Sequence, residues 1–125
     1  MSAKAPVIAI LDDEDAFRRA LSRLLKTHGF EVAAYGSPRE LIADSARKRF
    51  DCVLLDLYMP GMSGLDVLAE LRWNPEAPPA IVITGHDDPD LLKRAMALNA
   101  FECQKKPISE AKLLESIGRA LNRVS

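Results

Sequence analysis

The run VIAILDDED, residues 7–15, sets five apolar and mostly branched side chains in a row and then stops on acids at Asp12 and Asp13. No polar residue marks a solvent face, so the run predicts a strand buried on both sides, the habit of parallel sheets. From Asp15 the spacing turns helical, with Phe17, Leu21, Leu24 and Leu25 on one face, Arg18, Arg19, Arg23 and Lys26 between them, and Gly29 where a helix would end. EVAAY at 31–35 reads as a second short strand, and Ser37 with Pro38 supplies an N-cap and first-turn proline for a helix expected to run to about Lys48. CVLLD at 52–56 is a third apolar run stopped by an acid, followed by the loop YMPGMSG and the helical pattern LDVLAELRW. AIVIT at 80–84 is the fourth, after Pro78 and Pro79. Asp90 is expected to cap the next helix, with Leu91, Leu92, Ala95, Met96 and Leu98 facing inward. A weaker fifth strand, FECQK, ends at Lys106 and Pro107, and the last helix carries Leu113, Leu114, Ile117, Ala120 and Leu121 at helical spacing.

Strands that are apolar on both faces and alternate with helices imply a parallel sheet covered by right-handed crossovers. The expected fold is therefore α/β: five parallel strands, doubly wound in the flavodoxin-like order 2-1-3-4-5, with helices on both faces. No linker, repeat or low-complexity segment interrupts the pattern, so residues 1–125 are expected to hold a single domain.

Composition narrows the function classes. The 125 residues are 48% hydrophobic and 28% charged, an ordinary globular mixture that excludes disorder, collagen and repeat arrays. Lys plus Arg number 17 against 18 Asp plus Glu, a net charge of −1, which disfavours direct nucleic-acid binding by this chain or adhesion to an anionic membrane. No apolar run approaches the roughly 18 residues of a membrane span, and MSAKAPVIAILDD lacks a cleavage-like site, so a cytoplasmic protein is expected. Cys52 and Cys103 show neither zinc-ligand nor disulfide-scaffold spacing and are expected to be reduced, mostly buried thiols that do not pair.

In open parallel sheets the ligand site lies beyond the carboxyl ends of the strands. This sequence places Asp12 and Asp13 after the first strand, Asp56 after the third, Thr84 at the end of the fourth and Lys106 after the fifth. Two unit charges about 4 Å apart repel by roughly 4 kcal/mol at an effective dielectric of ~20, so a cation is expected among the carboxylates. Mg²⁺ suits them, because it takes one or two carboxylates, waters and a substrate phosphate. Lys106 and the Thr84 hydroxyl can hold phosphoryl oxygens, which leaves Asp56 as a nucleophile able to form an aspartyl phosphate by in-line attack. Taken singly, each residue has a plain structural explanation: helix cap, packed threonine, solvated lysine.

In the order and spacing of LDDED at 11–15, LLDLYMPGMSGLDVL at 54–68, IVITGHDD at 81–88 and KKP at 105–107, the chain resembles the receiver domains of two-component response regulators over about residues 5–122. The stretch RRALSRLLKTHGFEVAAYGSPRELI and the triplet TGH are most similar to receivers of regulators with a helix-turn-helix output domain, although no output domain is expected within these residues. The resemblance implies a phosphoryl-accepting switch rather than an enzyme, beyond Mg²⁺-dependent self-phosphorylation and slow self-dephosphorylation. Asp56 would take a phosphoryl group from a phosphohistidine on a sensor histidine kinase or a histidine phosphotransfer protein. Asp12, Asp13, Asp56 and the backbone carbonyl of Tyr58 would hold Mg²⁺. Thr84 and Lys106 would bind the phosphoryl oxygens, Lys106 joined to Pro107 by a cis peptide, and Tyr58 with His86 would stand at the mouth of the site and affect access of water. The change of state would alter partner binding, including a phosphorylation-dependent homodimer.

Three positions depart from the family. Cys103 stands where an aromatic residue usually reports the position of the Thr, Gln104 replaces an apolar residue, and Asn99 replaces a common Gly while still tolerating the left-handed conformation. The departures at Cys103 and Gln104 keep open a second reading, a receiver-like docking module that works mainly without phosphorylation. A dehalogenase-type phosphatase would need an acid two residues after the nucleophile, where Tyr58 stands, and a dinucleotide module would need a Gly-rich loop in place of DDEDAF. His28 is expected to be solvated at a helix end, and Trp73 half-buried and apart from the chemistry.

Overall fold

A computed structural model describes residues 4–59, 62–74 and 76–122; Pro60 and Gly61, in the loop after the third strand, lie outside the described residues. Five strands, β1 (Val7–Leu11), β2 (Glu31–Tyr35), β3 (Cys52–Leu55), β4 (Ala80–Thr84) and β5 (Glu102–Lys105), alternate with α1 (Asp15–Thr27), α2 (Pro38–Ser45), α3 (Gly64–Leu71), α4 (Pro89–Ala97) and α5 (Glu110–Asn122). All neighbouring strands are parallel, in the order β2-β1-β3-β4-β5. The expected architecture is what forms.

The pleat splits each apolar run between two cores, because successive side chains point to opposite faces of the sheet. Ile8, Ile10, Cys52, Leu54, Ile81 and Ile83 meet Leu21 and Leu25 of α1 and Leu113, Ile117 and Ala120 of α5. Ala9, Leu11, Val53, Leu55 and Val82 meet Leu41 of α2, Val67 and Leu68 of α3 and Ala95 of α4 on the other face. Each fully buried Leu or Ile contributes about 1.5–3 kcal/mol relative to exposure. Gly29, at φ 87°, follows the C-cap of α1, and Asn99, at φ 69°, does the same for α4, as a left-handed helix exit requires.

Several local expectations are corrected. Helix α2 ends at Ser45, short of Lys48, where the Ser45 hydroxyl donates to the Ile42 carbonyl and the chain turns to bury Phe50. Its N-cap is Ser37, but no cap hydrogen bond forms to that side chain. The cap of α4 is Asp88, not Asp90: Pro89 occupies the first turn, and the Asp88 carboxylate accepts from Leu91 N–H. Met96 is 48% exposed because Ala95 takes the inward position one residue, or about 100° of helix, away. Trp73 is 82% exposed, since α3 stops at Leu71 and the chain turns before the indole reaches the apolar face.

Sheet hydrogen bonding runs one residue past several strands and so carries the strand-end residues into place. Asp12 N–H donates to Tyr35 O, Asp56 N–H to Leu11 O and Lys106 N–H to Thr84 O. The carboxyl ends of β1 and β3, where the strand order reverses, thus form the crevice in which such sheets bind ligands.

Candidate functional site

Asp12 (2% exposed), Asp56 (7%) and Thr84 (1%) are the polar residues that the strand ends bury here. Asp13 is exposed beside them. Asp12, Asp13 and Asp56 each offer one carboxylate oxygen within 4.8 Å of the others. Lys106 reaches in from β5, its Nζ 2.9 Å from Asp12 Oδ2 and 3.4 Å from Asp56 Oδ2. Burial alone would lower its pKa, but the hydrogen bond and charge of Asp12, followed by Asp56, outweigh that and push it up. The ammonium is therefore a permanent cation in the site. Two residues that the sequence does not assign to the site complete its surroundings: Glu14 Oε1 at 3.6 Å, and the ring of Phe17 with its centroid 4.1 Å from Nζ. Glu14 lay within the acidic run LDDED, whereas Phe17 carried only a core signal.

Backbone donors fix the carboxylates. Glu14 N–H donates to Asp12 Oδ1 at 2.9 Å, and Tyr58 N–H donates to Asp56 Oδ1 at 3.0 Å. Arg18 anchors the first loop by donating to the Asp12 carbonyl at 2.6 Å while pairing with Asp15. The floor beneath Asp56 is the start of α3. Ser63 and Asp66 form a capping box, and Gly64 lies so close that a Cβ there would come 2.4 Å from Asp56 O.

Thr84 ends β4 with its Oγ1 accepting from His86 N–H at 3.1 Å. The His86 ring lies on the Tyr58 ring, centroids 3.8 Å apart, and Tyr58 OH donates to Asp88 Oδ2 at 3.0 Å. Desolvation, then the hydrogen bond to Asp88, raises the Tyr58 pKa and keeps the phenol protonated. Residues 30 apart in the chain thus close over one side of the crevice. The peptide from Lys106 to Pro107 is cis, as expected.

Cys103 and Gln104 have structural employment. The thiol points to α4 with Sγ 3.8 Å from Met96 Sδ, and its pKa is raised by burial and then by Glu102. Gln104 Nε2 donates to Glu102 Oε2 and to the Lys112 carbonyl, joining a cluster in which Ser116 and Arg119 of α5 also donate to Glu102. Neither cysteine is in a disulfide; Cys52 is buried and Cys103 partly so. His28 caps α1, 42% exposed, with Nε2 3.5 Å from Glu110.

An acidic cluster with one embedded lysine, a buried hydroxyl and an open mouth can neutralise and orient a phosphoryl group beside a carboxylate. The donor set also fits a hard divalent cation, since three carboxylates converge there and both buried ones already have an oxygen held by a backbone N–H. Among the described residues, no helix is long and apolar enough to cross a membrane.

The family model for the response regulator receiver domain matches residues 8–118. The chain is 40% identical over 121 residues to the response regulator protein TodT of Pseudomonas putida, covering 97% of this chain and 53% of TodT. It is 36% identical to Nodulation protein W of Bradyrhizobium diazoefficiens, over 98% of this chain and 53% of that protein. The chain thus spans about half the length of these curated relatives. The crystal structure of FixJ-N superposes with a TM-score of 0.89 at 32% identity, covering 100% of this chain and 98% of that one.

Proposed function

The chain belongs to the response regulator receiver domains, the phosphorylation-dependent switches of two-component signalling, and we propose that Asp56 is its phosphoryl acceptor. Receivers are signalling switches, phosphorylated by sensor histidine kinases, and the family binds Mg²⁺ at an acidic pocket. The observation that carries the assignment is the position of Lys106, whose ammonium spans Asp12 and Asp56 at the switch point of the sheet. A cation so held lies beside the oxygens of any phosphoryl group delivered to Asp56.

Asp12, Asp13 and Asp56, with the carbonyl of Tyr58, are the residues that would hold Mg²⁺. When bound, the ion supplies positive charge against the phosphoryl oxygens. A carboxylate oxygen of Asp56 attacks the phosphorus of a phosphohistidine on the kinase or a histidine phosphotransfer protein. The new O–P bond forms as the P–N bond breaks, and its electron pair returns to the donor imidazole. Lys106 offsets charge on the transferred group, and the Thr84 hydroxyl turns to donate to one of its oxygens. Tyr58 and His86 limit the approach of water, which makes self-dephosphorylation slow. The cytoplasm, where kinases present phosphohistidine, is the proposed place of action, and altered partner binding, including self-association, the output.

Acetyl phosphate with Mg²⁺ should add one phosphoryl group to the intact mass of the protein, and removal of Mg²⁺ with a chelator should prevent it. The Asp13→Ala variant should fold as the parent does, because removing one of three repelling carboxylates does not destabilise the metal-free site, yet fail to gain the group. Undiminished phosphorylation of that variant, or its unfolding, would contradict the reading.

A further inference from the structure

The phosphorylation site has no aromatic residue on β5 to report the state of Thr84, since Cys103 occupies that place, packed against the core with its Sγ 3.8 Å from Met96 Sδ of α4. A different set of contacts runs from the site to the same helix. Two of the acceptors in the crevice are used by the residue two positions on and lie on the α4 side: Asp56 Oδ1 by Tyr58 N–H at 3.0 Å and Thr84 Oγ1 by His86 N–H at 3.1 Å. The side chains of those two residues stack, with centroids 3.8 Å apart. From the stack, Tyr58 OH donates to Asp88 Oδ2 at 3.0 Å, and the other oxygen of that carboxylate, Oδ1, accepts from Leu91 N–H at 3.2 Å as the N-cap of α4. One carboxylate is divided between the ring that covers the site and the first turn of the helix.

We infer that Asp88 couples the phosphorylation site to α4, receiving the state of Thr84 through His86 and Tyr58. The inference rests on the functional reading above and adds the route by which the helix responds. A hydroxyl that turns to donate to a phosphoryl oxygen carries its own oxygen away from His86 N–H. That backbone group must then shift to regain an acceptor, because an unpaired, partly buried N–H is costly. The imidazole moves with it, and the Tyr58 ring loses the surface that holds its hydroxyl on Asp88. A carboxylate released on one side reorients on the other, and the cap at Leu91 N–H loosens. Pro89 has no N–H of its own, so the cap on Leu91 is a large share of what holds the first turn. Asp88 is thus a positioning residue that acts through the cap, not a group that touches the phosphoryl.

The test follows amide hydrogen exchange across 89–97 with and without phosphorylation by acetyl phosphate and Mg²⁺, with occupancy read by intact mass on the same samples. In the parent, phosphorylation should speed exchange in the first turn of α4 several-fold. Asp88→Ser keeps a good N-cap but is too short to reach Tyr58 OH; it should show the parent's exchange before phosphorylation and the parent's occupancy after, with most of the phosphorylation-dependent change gone. Asp88→Asn, whose amide can still serve both cap and phenol, should restore the change, and Cys103→Ala should leave it intact. A full response in Asp88→Ser, or loss of the response in Cys103→Ala, overturns the coupling route while leaving Asp56 as acceptor. No phosphoryl increment on the parent would remove the functional reading itself, and the inference with it.

Discussion

Gly64→Ala should cost this protein more than any other single methyl added at a described glycine. An alanine Cβ at that position would lie 2.4 Å from Asp56 O, 2.7 Å from Leu57 Cα and 2.9 Å from Leu55 Cδ1. Ordinary carbon contacts settle near 3.5–4.0 Å, so the start of α3 and the end of β3 must separate by roughly an ångström. Two of the three obstructing atoms are backbone, and Gly64 N–H also donates to Leu57 O at 3.1 Å, so no rotamer change relieves the clash. Overpacking of this kind costs about 1–3 kcal/mol, and backbone obstruction places it near the top of that range. The gain in helix propensity from Gly to Ala, up to about 1 kcal/mol, offsets part of it. A net loss of about 2 kcal/mol lowers the melting temperature by roughly 8 °C for a domain of this size. Gly118→Ala, in α5 with nothing within 4 Å of the added Cβ, is the control and should raise the melting temperature by a few degrees. Calorimetry of both variants, with phosphoryl uptake at matched folded fraction, measures stability and site geometry separately. A Gly64→Ala protein that melts with the parent and takes up phosphoryl at the parent's rate would refute the claim that α3 is seated directly on the Asp56 strand end.

Three further outcomes follow from the periphery of the site. Hydrogen bonding from Ser116, and then from Gln104 and Arg119, outweighs burial and holds the Glu102 carboxyl below its usual range. Its contribution is therefore present above the unfolded carboxyl pKa and lost as pH falls through the lower folded value, so Glu102→Gln should cost about 1 kcal/mol at neutral pH and little under strongly acidic conditions; equal losses at both, from urea titrations, would contradict this. Two thiols should titrate in the denatured, unreduced protein, because Cys52 and Cys103 lie on strands separated by β4, roughly 9.6 Å apart by strand spacing against the ~7 Å limit for a disulfide; native Cys103 should react slowly, its thiol pKa pushed up by burial. Cys103→Tyr should alter phosphorylation-dependent self-association, measured by light scattering, more than the rate of phosphorylation, whereas equal loss of both with a lowered melting temperature would mean simple overpacking.

The strands were readable because VIAIL, CVLL and AIVIT are apolar on both faces, which few arrangements besides a covered parallel sheet can satisfy. Their terminal residues then had to converge, and Asp12, Asp13, Asp56, Thr84 and Lys106 were legible as a group for that reason. Other features depend on tertiary approach. The bond from Tyr58 to Asp88 joins two loops, and the seat of Phe17 beneath Lys106 joins α1 to β5, with no local period to announce either. Asp88 did carry a signal in the pair Asp88–Pro89, since proline in the first helical turn marks the preceding residue as the cap. Trp73 and Met96 misled because an apolar residue near a helix end was expected to face inward, while one turn of the chain or 100° of helix put each in solvent.

The most direct test is the intact mass of Asp56→Asn beside the parent after acetyl phosphate and Mg²⁺. Asparagine keeps the shape of the side chain but gives up the carboxylate nucleophile. The parent should gain the mass of one phosphoryl group and the variant none, whereas a phosphoryl increment retained by Asp56→Asn would contradict the assignment of Asp56 as the acceptor.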